Sequence, residues 1–456
     1  MSATGDVIDL EITDVAHGGV FVARHEGRVV FVPDAIPGET VRVRLTDTAK
    51  KSFWRGETLE VLEASPHRQP HVWRQADVDV EPENRPGGAD FGHIDLSHQR
   101  LLKVRVLADA LQRFGGVEVP VGLEGAFGDG ATLAGETDDG TGWRTRISLH
   151  VDADGRIGPY AARSHRVIPD LDFPLATEQI ERAAIELRGG EPGRIDLVQP
   201  ADGRVRVLAR PERRDASSRS SLSTSAGRRG RGGRPAVRGP ESEVLLEQVG
   251  GRDFRVDAGG FWQVHRLAAH TLTRTVASAL QSLRPDGPIR RDGGLWIDPD
   301  AWHLDLYGGV GLFAATLGDL GGPSTRITSV ESDARATEHA GENLAEWVGA
   351  RAETARVDRW LARLADEAST SERERLSRGV VLLDPPRAGA GREVVEHIVG
   401  LSPETVVYVA CDPVALARDV ATFRAGGYDL ARVDALDLFP NSHHIEAVAV
   451  LARAGG

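Results

Sequence analysis

Cysteine occurs once in this chain of 456 residues. Cys411 follows the apolar run Thr405-Val406-Val407-Tyr408-Val409-Ala410 and precedes Asp412 and Pro413. The run reads as a strand, so the thiol stands at its carboxyl end. A lone cysteine is usually a small buried apolar residue. At a ligand-binding edge, beside an acid and a rigid proline, its thiolate can instead act as a nucleophile. A single cysteine also excludes an internal disulfide, a cysteine-based zinc knuckle and a four-cysteine iron–sulfur cluster.

Three further stretches carry chemistry. Asp305-Leu306-Tyr307-Gly308-Gly309-Val310-Gly311-Leu312-Phe313-Ala314 lies between a predicted strand and a predicted helix. Its glycines let the backbone turn tightly and approach a ligand. Gly309-x-Gly311-x-x-Ala314 matches a relaxed dinucleotide fingerprint, and Glu331 ends the next strand, where an acid can grip ribose hydroxyls. An NAD enzyme and an S-adenosylmethionine enzyme both fit this signal. Leu382-Leu383-Asp384-Pro385-Pro386-Arg387 ends another apolar strand in an acid on a stiff loop, which suits the holding of a flat base beside a cofactor. Phe439-Pro440-Asn441-Ser442-His443-His444-Ile445-Glu446 leads into the last strand, and with Cys411 at hand Glu446 is a candidate base, with Asp412 second. The two histidines lack further ligands at metal spacing, so no metal site is read.

These residues need a scaffold. From residue 246 onward apolar strands alternate with amphipathic helices, which predicts a mostly parallel sheet with helices on both faces and ligands at the strands' carboxyl ends. Residues 1–65 hold short runs at 7–12, 19–23, 28–32, 41–45 and 57–62, which predict a small closed barrel of the OB type. Between them, 66–245 reads as an α+β unit: an irregular stretch over 66–95, a helix over 97–114, strands over 143–151 and 156–160, and a helix over 178–187. Within it, 211–240 holds eight arginines amid serine and glycine and is predicted to be a disordered insertion, with RNA contact as a minority reading.

Bulk composition sets limits. The formal net charge of −13 argues against sequence-blind binding to phosphate backbones, while Arg42, Arg44, Lys50, Lys51 and Arg55 give the barrel local positive charge. No apolar run is long enough to span a membrane, and Met1–Leu10 carries Asp6 and Asp9 with no signal pattern, so cytoplasm is the expected compartment.

Taken together, Phe261-Trp262-Gln263-Val264, the glycine turn, Val330-Glu331, Asp384-Pro385-Pro386-Arg387, Cys411-Asp412-Pro413 and His444-Ile445-Glu446 resemble, in order, the motifs of the bacterial RNA uracil-5-methyltransferase family. The resemblance implies an N-terminal TRAM barrel, a central domain and a Rossmann-like class I methyltransferase domain. It implies that Gln263, Tyr307, Glu331 and Asp384 contact S-adenosylmethionine, with Asp358, Gly309, Gly311 and Leu312 as weaker additions. Cys411 would be the nucleophile, Glu446 the general base, and a uridine of tRNA or rRNA the substrate of a monomeric enzyme. The chain departs from the pattern in three places. The family's Phe-Gln-x-Asn reads Gln263-Val264-His265 here, Gly308 stands where a cysteine is frequent, and Pro86-Gly87-Gly88-Ala89 occupies the stretch where many relatives hold iron–sulfur cysteines, so no cluster is expected. Two rivals remain: an NAD-dependent oxidoreductase, which has no need of Asp-Pro-Pro-Arg or Cys-Asp-Pro, and a non-catalytic RNA-binding protein, which has no use for Cys411 with Glu446.

Overall fold

The computed structural model describes residues 3–130, 133–169, 172–212, 239–282 and 296–454. Five strands come first: β1 (Val7–Ala16), β2 (Val20–His25), β3 (Arg28–Val32), β4 (Thr40–Asp47) and β5 (Phe53–Glu63). They close into a barrel in the order β1-β2-β3-β5-β4, with β1 pairing both β2 and β4. Closure removes the free edges. Period-two alternation turns Leu10, Ile12, Phe21, Val30, Val41 and Val43 inward. The same core takes in Phe91, Ile94 and Leu102 from beyond the barrel.

The irregular stretch after the barrel is pinned to it by charge. Arg68 donates Nε to Glu39 Oε1 at 2.6 Å and Nη2 to Glu39 Oε2 at 2.8 Å, and Glu39 is fully buried. Arg85 donates to Asp34 Oδ2 at 2.8 Å. Helix α1 (Leu96–Ala110) and strand β6 (Gly122–Gly125) follow. A small module comes next: β7 (Arg146–Val151), β8 (Ile157–Gly158), α2 (Glu178–Glu186), β9 (Gly193–Val198) and β10 (Arg206–Pro211). Its antiparallel sheet runs β10-β9-β7-β8, and Ile180 and Ala184 of α2 pack on Leu149 and Leu197. Of the predicted disordered insertion at 211–240, Pro211 instead ends β10 and Pro240 opens a short 3₁₀ turn, while 213–238 lie outside the described residues.

A hairpin, β11 (Val244–Val249) and β12 (Arg252–Asp257), and helix α3 (Ala268–Ser282) lead into the last unit. There the chain alternates β13 (Trp302–Leu306), α4 (Leu312–Gly321), β14 (Arg326–Glu331), α5 (Ala334–Asn343), β15 (Ala350–Thr354), α6 (Val357–Glu367), α7 (Thr370–Ser377), β16 (Val380–Leu383), α8 (Arg392–Leu401), β17 (Thr405–Ala410), α9 (Pro413–Ala425), β18 (Tyr428–Asp437) and β19 (Glu446–Arg453). The sheet order is β15-β14-β13-β16-β17-β19-β18-β6. Its central strands β13, β16 and β17 are buried along their whole length, as expected when helices cover both faces. The strand order reverses between β13 and β16, which makes their carboxyl ends the switch point where ligands bind.

One expectation from linear order differs from the packing. β6 pairs in parallel with β18 as the eighth strand of the last sheet, and the end of α1 packs beside α9. The stretch from α1 to β6 therefore sits with the C-terminal unit, where it covers the outer edge of β18, rather than with the four-stranded module.

Candidate active site

The strand ends bring the singled-out residues to one cleft of about 1410 Å³. Gln263, Tyr307, Gly309, Glu331, Asp384, Cys411 and Glu446 all line it. Its opposite wall comes from the central module and the segment before α3, through Trp143, Arg144 and Phe261.

At one end lies the glycine turn. Tyr307, Gly309 and Gly311 have φ of 62°, 54° and 90°, so the chain passes through left-handed backbone on leaving β13. Gly308 cannot carry a side chain here, because its Cβ would stand on Ser329 Oγ and Asp305 Oδ2. Asp305 is buried beneath the turn and accepts from Ala314 N at 3.2 Å and Ser329 Oγ at 3.1 Å. Burial pushes its carboxyl up to about 7. Glu331, ending β14, accepts from Gly309 N at 3.2 Å and from Asp333 N at 2.8 Å, which fixes the acid against the turn.

At the other end stand three acidic groups on neighbouring strands. Asp384 follows β16, Cys411 follows β17 and Glu446 opens β19, with Ala410 and Ala447 directly paired between the last two. No hydrogen bond joins the carboxyls of Asp384 or Glu446 to another described residue. Burial, helped by Asp305, pushes Asp384 up to about 7. Burial and then Asp384 hold Glu446 well above the usual carboxylate range, with Arg387 opposing. Burial, then Glu446 and Asp384, push the Cys411 thiol up to about 12, again against Arg387. Arg387, at the end of the Asp-Pro-Pro-Arg run, is thus a cation that acts on both groups, a role its motif position did not announce.

Local structure holds these groups in place. Asp412 caps α9, its Oδ1 accepting from Val414 N at 3.0 Å and Ala415 N at 2.8 Å, while Oδ2 lies 3.2 Å from His17 of the barrel's first turn. With its oxygens so committed it makes a poor second base. The loop before Glu446 is locked from α1. Gln99 donates to Asn441 Oδ1 and accepts from Asn441 N, both at 2.8 Å. Lys103 donates to Asp437 Oδ1 at 2.6 Å and to Phe439 O at 3.0 Å, with the Lys103 and Asp437 side chains both out of contact with water.

Three expected residues do not line the cleft. Gly311 caps α4 and Leu312 is buried in the core, so both shape the turn from behind. Asp358 pairs with Arg356 at 2.6 Å, which holds its carboxyl down to about 2, and reaches the site only through its charge on Tyr307. His265, at the asparagine position, stacks on Trp143 at 5.3 Å, and burial pushes it down to about 3.

Comparison with known proteins gives the family. A TRAM domain model matches residues 2–61, and the tRNA (uracil-5-)-methyltransferase model matches 353–454. The chain is 36% identical over 470 residues to an uncharacterized RNA methyltransferase of Streptomyces avermitilis, covering 99% of both. It is 30% identical over 470 residues to the 23S rRNA (uracil(1939)-C(5))-methyltransferase of Shewanella amazonensis, covering 97% of this chain and 95% of that one. The chain belongs to the RNA uracil-5-methyltransferase family. Among solved structures, the Pyrococcus abyssi tRNA (uracil-54, C5)-methyltransferase in complex with S-adenosyl-L-homocysteine shares its fold at a TM-score of 0.62 and 21% identity, over 98% of this chain and 100% of that one. Family membership removes the oxidoreductase reading. The glycine turn and the Cys411–Glu446 pair line the same cleft.

Proposed function

We propose that this enzyme methylates C5 of a uridine in tRNA or rRNA, acting as a monomer through a covalent bond from Cys411 to the uracil. The glycine-turn end of the cleft suits S-adenosylmethionine. Glu331 would hold ribose hydroxyls, the Gly309 backbone lies open to the cleft, and the unpaired carboxyl of Asp384 and the Gln263 side chain stand ready for polar partners. When bound there, the cofactor supplies an electrophilic methyl on a sulfonium.

C5 of uracil is a weak nucleophile. Addition of the Cys411 thiolate to C6 pushes the C5–C6 electrons toward the O4 carbonyl and leaves an enolate at C4–C5. C5 then forms its bond to the methyl as the methyl–sulfur bond breaks. Glu446 removes the C5 proton, the C5–C6 double bond returns, and the Cys411 sulfur leaves with its electron pair. To enter the cleft the uridine must leave its stack, which is least costly in a loop or bulge.

The observation that supports this most is the pairing of β17 with β19, which sets Cys411 and Glu446 at adjoining strand ends on one cleft. Tritiated S-adenosylmethionine mixed with RNA from cells lacking the gene tests it. Wild-type protein labels the RNA, and Cys411→Ala loses turnover while still binding the cofactor. Turnover by Cys411→Ala contradicts the covalent route.

A further inference from the structure

A second cavity of about 540 Å³ opens beside the cleft, within the central module. That volume falls in the range of roughly 300–1,000 Å³ that holds small ligands. Its wall is aromatic. Tyr160 stacks on His150 at 3.5 Å and meets His165 edge-on at 5.1 Å, and Phe173 packs near Trp73 at 6.1 Å. The buried indole Nε1 of Trp73 has no hydrogen-bond partner.

Between the cavity and the cleft stands Arg144, which lines both. Its Nε donates to Arg146 O at 3.0 Å and its guanidinium lies 5.8 Å from the Trp143 ring. Its Nη1 and Nη2 bond to no described residue, and no described carboxylate pairs with it. Burial holds the guanidinium below its ordinary value. A half-buried cation without a counter-charge on the wall of two cavities is a ready partner for an anion that arrives with the ligand.

We propose that this cavity receives the nucleobase next to the target uridine in the same RNA, with the phosphate that joins the two nucleotides on Arg144. The assignment rests on the reading of the cleft as the uridine site. The polymer supplies what the geometry asks for: a flat base for the aromatic wall of Tyr160, His165 and Phe173, and one phosphate between two bases for the unpaired guanidinium. A lone cofactor or metabolite would not need two cavities with a cation between them.

Methyl transfer to RNA from cells lacking the gene provides the test. Wild-type label transfer that depends on Cys411 reads the function of the cleft, and the KM for RNA reads this cavity. Tyr160→Ala raises that KM about tenfold, in keeping with the roughly 1–3 kcal/mol of one stacked base. Tyr160→Phe restores it, and labelled S-adenosylmethionine binds Tyr160→Ala as it binds wild type. Arg144→Met reduces the slope of log affinity against log salt by about 0.7, one single-strand phosphate. Ala162→Phe, which fills the cavity from its partly exposed wall, also raises the KM. Ultraviolet irradiation of the wild-type complex leaves a nucleotide mass on the peptide spanning 157–176. Wild-type KM in both Tyr160→Ala and Ala162→Phe, or crosslinks confined to the cleft, overturns the proposal even where methylation stands.

Discussion

In the proposed route Cys411 begins as a reluctant nucleophile. Its thiol is pushed up to about 12 by burial and by the two carboxyls beside it, and Arg387 is the opposing charge. The attacking species is the thiolate, and Glu446 must be unprotonated to take the C5 proton. Both groups hold their protons to higher pH than usual, so the active form grows as pH rises. We therefore expect kcat/KM for methylation to climb from pH 6 through 9. Arg387→Met should raise the thiol further and slow iodoacetamide alkylation of Cys411 at pH 9 by several fold. An unchanged alkylation rate would remove Arg387 from the account. The sequence made Cys411 legible because it is the lone thiol at a strand end. It left Arg387 hidden, because a charge's reach depends on which strands lie next to each other.

Among the elements, α1 does more than cover a sheet edge. Gln99 and Lys103 fasten the loop that delivers Glu446, from more than 330 positions earlier in the chain. Asp437 is fully buried and shared between Lys103 and Arg100. Lys103→Met keeps the stem but leaves this carboxylate short of one partner. Loss of one partner of a buried ion pair costs about 3–5 kcal/mol, and Arg100 keeps the expected loss near the lower end. Urea unfolding should show a midpoint well below wild type; an unaltered midpoint would remove the Lys103–Asp437 contact from the account of stability. The helix itself was legible from the spacing of Leu101, Val104, Leu107, Ala108 and Leu111, but its buried face was not: Leu101 is exposed, and Gln99, Leu102, Lys103 and Leu107 are buried. Its partner was not legible either, since helical periodicity does not say against what a face packs. β6 was illegible for a related reason: Gly122-Leu123-Glu124-Gly125 has little strand propensity, and the edge of β18 imposes its conformation.

At the scale of the molecule, the barrel is built into the enzyme. Its core is continuous with Phe91, Ile94 and Leu102, and Glu39 anchors Arg68 beyond it. Its first turn reaches the Cys411 end of the cleft, where His17 meets Asp412 and a Cβ on Gly19 would strike His443. A chain starting at residue 66 should thus expose this apolar surface, strand Arg68 without its acid, and aggregate or melt far below wild type in scanning calorimetry. A soluble, cooperatively folded truncation would make the barrel an independent bead. The barrel's five strands and the α/β alternation were readable, because period-two and strand–helix patterns are local. The stretch over 66–95 read as irregular because its order comes from Glu39 and Asp34 on the barrel, which no local pattern reveals.

The covalent route is the central claim, and Glu446→Gln tests it most directly. The glutamine keeps the shape of the side chain but cannot accept the C5 proton. Cys411 addition and methyl transfer should still occur, and release should stop. Denaturing gel electrophoresis should then show a protein–RNA adduct carrying the tritium of S-adenosylmethionine, and the Cys411→Ala, Glu446→Gln double variant should show none. Turnover by Glu446→Gln near the wild-type rate, with no adduct, would contradict the account.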